Sequence, residues 1–143
     1  MATLKISDLS VGDWVEIDHE DYGWHPAQIN VCGDLGIGVY FKDIDPEEEY
    51  DCTLSQARPI PITPEILEAN GWEKDGRGYK WSNEKHRVFV WLKKFSHFVD
   101  VVEMDKQFAT KNSCIEVSQL FVHQLQHALR LAGVGKEIIM PKE

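Results

Sequence analysis

Between Val11 and Met104 the chain is built from short runs of alternating apolar and polar residues, most of them cut off by glycine, proline, asparagine or aspartate. A period of two puts successive side chains on opposite faces of an extended strand, so such runs bury an apolar face only by pairing into sheets. In Val11-Gly12-Asp13-Trp14-Val15-Glu16-Ile17 a tight turn precedes the alternation, with Trp14 and Glu16 on one side and Val15 and Ile17 on the other. His25 to Val31 forms a second run, followed by a Gly33-Asp34 turn, and Leu35 to Lys42 a third, loosened by Gly36 and Gly38. Asp43 to Asp51 is expected to be a solvated acidic hairpin tip. The chain then returns through Cys52-Thr53-Leu54 to Ala57-Arg58-Pro59-Ile60. Four or five strands at this spacing predict a small curled sheet or SH3-like barrel over residues 1–62.

Pro59, Pro61 and Pro64 mark a stiff junction before a second unit, residues 63–143. Thr63 as N-cap, Pro64 at the first helical position and Glu65 in the first turn predict a short helix, ended by Gly71. Asp75-Gly76-Arg77-Gly78 is a hairpin signal between Trp72–Lys74 and Tyr79–Trp81; Arg87–Lys93 and His97–Met104 read as two further strands. The result is a four-stranded antiparallel meander. Ser118 is the expected N-cap of a helix from about Gln119 to Ala132, closed by Gly133. At 100° per residue, Phe121, Val122, Leu125, Ala128, Leu129 and Ala132 share one arc, whereas His123, Gln126 and His127 fall on the polar side. This helix should cross one face of the meander, and Ile138-Ile139 should add a short strand. The fold class expected is α+β.

Charge is unevenly shared. Residues 1–62 hold three bases against thirteen acids, a net of −10, and residues 63–143 twelve bases against eleven acids. Duplex nucleic acid is therefore not an expected ligand of the first half, whereas a basic protein partner is. No run approaches the roughly 20 apolar residues of a membrane span. The opening Met1-Ala2-Thr3-Leu4-Lys5 has no apolar signal region. Cys32, Cys52 and Cys114 are scattered without a CxxC spacing, which argues against a disulfide scaffold or structural zinc and fits a reducing cytoplasm.

The segment Arg58-Pro59-Ile60-Pro61-Ile62-Thr63-Pro64-Glu65-Ile66-Leu67, reaching Asn70-Gly71-Trp72, lies some fifty residues before the helical Val122-His123-Gln124-Leu125-Gln126-His127. The pair resembles a "PIPLTEE…GF" segment and a "VHQLQN…G" helix in a family of small uncharacterised proteins of gut Bacteroidetes bacteria, their phages and mobile elements. The likeness covers roughly the last 85 residues and the general layout of the first 58. It departs at Ile62, at Pro64, and at His127, where the family has Asn. It implies an accessory role in such a gene context and carries over no catalytic residue.

The residues singled out for function point to binding. Trp14, Tyr22, Trp24, Tyr40 and Phe41, among acids, could frame a cage for a cationic group through cation–π attraction; filling a small core is the plainer role for such rings. Asp45, Glu47, Glu48 and Glu49 could meet a basic partner, but the run lacks the glycine and the final glutamate of a calcium loop. His123 and His127, four apart, have the spacing of zinc ligands on a helix, yet Gln124 stands where a metalloprotease needs glutamate. A third ligand would have to come from His86, His97, Asp100 or Glu103. No nucleophile elbow, phosphate loop or dinucleotide fingerprint is present, so neither enzymatic activity nor a cofactor is expected. The leading expectation is a protein-interaction module, with a homodimer allowed. An acidic nucleic-acid mimic and a metal-dependent hydrolase built on His123 and His127 are the alternatives.

Overall fold

Ten strands pair into two separate five-stranded antiparallel sheets among the described residues, 4–105 and 108–141 of the computed structural model. Two helices and two short 3-10 turns complete a mostly β, α+β chain. It divides into two compact units, one running to Ile60 and the other spanning Pro61–Pro141.

In the first unit, β1 (Trp14–His19), β2 (Gly23–Gly33), β3 (Gly36–Phe41), β4 (Asp45–Cys52) and the two-residue β5 (Ala57–Arg58) lie in the order β4-β3-β2-β1-β5. Pleating turns Val15 and Ile17 of β1, Ala27 and Ile29 of β2, and Val39 and Phe41 of β3 into one buried cluster, which Leu4 and Leu9 join. The turn before β1 is stitched to β2. Gly12 donates its N–H to the Ile29 carbonyl (2.8 Å), and Ile29 donates back to the carbonyl of Asp13 (2.8 Å). Asp13 is fully buried, and its carboxylate accepts the Ser10 N–H at 2.8 Å, which offsets part of the cost of removing it from water.

In the second unit, α1 (Pro64–Ala69) is followed by β6 (Glu73–Asp75), β7 (Gly78–Ser82), β8 (His86–Leu92), β9 (His97–Asp105) and β10 (Phe108–Val117), then α2 (Val122–Leu131). The strands neighbour one another in chain order. The Thr63 hydroxyl accepts the Ile66 N–H as the N-cap chemistry requires, and Gly71 and Gly133 take the left-handed conformation just past the helices. Val88, Val90, Val99 and Val101 are buried on one face of the sheet; Phe89 and Trp91 stack on each other on the opposite face.

Three expectations for this unit are corrected. The sheet has five strands rather than four, because residues 108–117 pair with β9 from Phe108↔Asp105 to Val117↔His97. The run has little apolar alternation to mark it as a strand, because it is an edge strand whose Asn112 to Glu116 positions are all exposed. The last helix begins at Val122 rather than near Gln119, and Ser118 does not cap it. His97 Nδ1 accepts the Leu120 N–H (2.8 Å), the Leu120 carbonyl accepts the Ile62 N–H (2.9 Å), and Phe121 bridges to Pro61. These bonds hold 120–121 extended, and the Gln124 side chain caps the helix by accepting the Phe121 N–H. Ile138-Ile139 forms no strand. Asn70 instead donates from Nδ2 to the carbonyls of Ile66 and Ile139 (2.8 Å each), and its Oδ1 accepts the Ile139 N–H (2.7 Å).

Asn70→Ala should lower stability by about 1–3 kcal/mol, since it strips partners from half-buried backbone groups. Hydrogen exchange should speed up at the Ile139 amide and stay slow at Val90. Equal loss of protection at both would show that Asn70 does not act as a local staple.

Candidate functional site

Alternation along β1 and β2 does more than build a core. Carried to the strand ends, the buried side of Val15 and Ile17 reaches His19, and that of Ala27 and Ile29 reaches His25. Beside Phe41 and Tyr50 these rings form an aromatic cluster with Tyr22. His19 stacks on Tyr22 with centroids 4.2 Å apart, lies 4.6 Å from Tyr50, and meets Phe41 edge-on at 5.4 Å. Phe41 and His25 are buried, whereas Tyr22 is 43% exposed. His25 Nε2 lies 2.9 and 3.0 Å from the two Asp43 carboxylate oxygens; as these only accept, Nε2 is the donor. His19 Nδ1 accepts the Asp21 N–H at 3.0 Å.

The aromatic residues named from the sequence do not assemble as one cage. Trp14 is buried, at 6% exposure, and presents no surface. Trp24 is 37% exposed, but the Arg58 guanidinium sits 4.1 Å over its ring and is held 3.2 Å from Glu16. Tyr40 carries Lys42 at 5.1 Å. Only Tyr22 and Phe41 of the original set enter the cluster; His19, His25 and Tyr50 complete it.

Asp45, Glu47, Glu48, Glu49 and Asp51 are all exposed, and they do not form a hairpin tip. They belong to β4, the edge of the first sheet. Pairing runs Val39↔Tyr50, then resumes at Phe41↔Asp45, so β4 spends five residues where β3 spends two. Pro46 to Glu49 therefore bulge from the edge. None of the five carboxylates forms an ion pair among the described residues.

His123 and His127 lie in the second unit, and the expectation that both imidazoles face solvent fails. His123 is 4% exposed, and Gln126 is buried as well. The buried arc, Val122, His123, Leu125, Gln126 and Leu129, is turned by roughly 70° from the one the apolar pattern predicts at 100° per residue. Pairing of Pro61 and Ile62 with Phe121 and Leu120 beside the helix start accompanies that rotation. The His123 ring stacks against Phe121 at 6.1 Å and meets His127 edge-on at 5.8 Å. Among the described residues no group of three or more His, Cys, Asp or Glu is placed to hold a metal ion. His97, one of the candidate third ligands, spends Nδ1 on Leu120.

Cys52 and Cys114 are held in the protonated form, which suits them poorly to nucleophilic work. Burial, then the Asp51 carboxylate, pushes Cys52 up from 9.0 to about 11. Cys114 is also raised, by desolvation first and then by Asp100 and Glu116. A thiol raised in the fold favours the protonated form, so its stabilising contribution is intact below 9 and is lost as pH rises through about 11. Unfolding free energy should fall across that window, measured by urea titration at several pH values, and Cys52→Ala should make the fall shallower. No helix among the described residues is long and apolar enough to cross a membrane. No family model, curated protein or solved structure matches the chain.

Proposed function

We propose that this protein is an interaction module that captures a basic protein partner on the acidic bulge of its first unit. The observation that carries the reading is the concentration of five exposed carboxylates on one edge strand, without ion pairs of their own among the described residues. Like charges held this close gain when a cationic surface arrives, and the gain speeds association more than it deepens affinity. The neighbouring His19–Tyr22–Tyr50 rings offer an aromatic shoulder on which an arginine or lysine stem can rest. A nucleic-acid mimic needs carboxylates along an extended face, so their confinement to the eight residues of β4 favours a protein partner.

Two finer points belong to the same proposal. The first unit is an SH3-like barrel, supported by its order β4-β3-β2-β1-β5 and by the 3-10 turn Leu54–Gln56 before β5. The role is an accessory one in the cytoplasm, in keeping with the resemblance to small phage and mobile-element proteins.

Glu47→Gln, Glu48→Gln and Glu49→Gln together should leave the fold intact and abolish recovery of a basic partner from host extract. Capture by the native chain should weaken steeply between 0.05 and 0.5 M salt, as the screening length shrinks from about 14 to about 4 Å. Equal recovery of every partner by both proteins, at both salt concentrations, would remove the charge argument.

A further inference from the structure

Ala128, on α2, and Ala132, just past its end, stand one turn apart, and neither has a side chain large enough to reach the sheet beneath. A cleft of about 220 Å³ remains between them and the second sheet. Its floor is Val99 and Val101, both buried, and its rim includes Ile115 and Leu131, both exposed. The volume suits one aromatic ring with a small substituent, since an engineered cavity of about 150 Å³ takes up benzene.

One buried polar side chain lines this apolar slot. His86 is 8% exposed, and its backbone N–H and carbonyl are both bonded to Asn83. Its ring makes no hydrogen bond among the described residues. A buried polar group without a partner is costly, and folded proteins keep few of them. Glu103 does not relieve it. That residue lies across the β8–β9 ladder from His86, but across the β9–β10 ladder it stands opposite Lys111, and it has an interaction of its own. The imidazole is the buried polar group that the cleft leaves open to a ligand.

We infer that this cleft binds a small neutral molecule made of one apolar ring and a hydroxyl group, the chemistry of a phenol. The ring lies between the two alanines and the valine floor, and the hydroxyl meets the His86 imidazole. A hydroxyl suits that group because it both donates and accepts, and so pairs with either nitrogen of a neutral imidazole. The same ring without a hydroxyl would cover the imidazole and leave it unpaired. The site lies wholly within the second unit and stands independently of the partner surface proposed for the first.

The test uses the full chain with p-cresol as the probe and toluene as the control that lacks the hydroxyl. NMR titration with p-cresol should show saturable shifts at the Ser113, Ile115 and Ala132 amides and at the His86 ring nitrogens. Toluene should bind about tenfold more weakly, the worth of one hydrogen bond to a buried group. His86→Leu should keep the melting temperature, since the ring bonds to nothing within the protein, and should erase the preference for p-cresol. Ala132→Leu should fill the slot and abolish the shifts with both compounds. Absence of saturable p-cresol shifts, equal affinity for toluene, or an unchanged preference in His86→Leu would each overturn the assignment. If His86→Leu does not fold, the p-cresol to toluene ratio of the native chain and the loss of binding in Ala132→Leu decide the matter.

Discussion

Every strand in this chain must hide one face, and the pleat decides which residues do so. In the first sheet that face is Val15, Ile17, Ala27, Ile29, Val39 and Phe41; in the second it is Val88, Val90, Val99 and Val101. A slip of one residue in any ladder would turn these groups to water and bring their charged neighbours inside. Burying a side chain of this size is worth about 1.5–3 kcal/mol, so register is enforced at several positions in each ladder. The remaining features are attached to that frame. The Gly12-Asp13 turn is tied to Ile29, α1 is tied to the tail through Asn70, and α2 is tied through His97 and Ile62.

Much of this frame could be read from the residues. Two-residue periods located β1, β2, β3, β8 and β9, and the helix ends at Gly71 and Gly133 followed from cap chemistry. What escaped was structure specified by partners distant in sequence. In the strand β10 the positions Asn112 to Glu116 are exposed, so its pairing with β9 is what defines it. The start of α2 was set by His97, 23 residues away from Leu120, and by Ile62, which no local propensity can report. Asn70 looked like an ordinary residue before a helix-ending glycine, yet its amide makes three hydrogen bonds that replace the expected terminal strand.

The candidate surfaces divide along the same line. The acidic run was visible as composition, but its bulged place on an edge depends on the β3–β4 register. The aromatic cluster was half legible. Tyr22 and Phe41 were noted for their type, while His19 and His25 are found by extending the inward positions of β1 and β2 by one more step. His123 was misplaced because the helix wheel weighs hydropathy alone. A ring that stacks on Phe121 is buried despite its polarity, and the whole arc turned with it.

The bulge in β4 has a consequence for how the molecule behaves at high concentration. A flat, unpaired sheet margin is a template onto which a second copy can add its own strand, and repeated addition leads to fibrils. Pro46 cannot donate a backbone hydrogen bond, and the glutamates that follow it repel their counterparts on any approaching copy. The segment that carries the most charge is thus also a guard against indiscriminate self-stacking. Neutralising it would remove that guard from a sheet whose other margin, β5, is only two residues long.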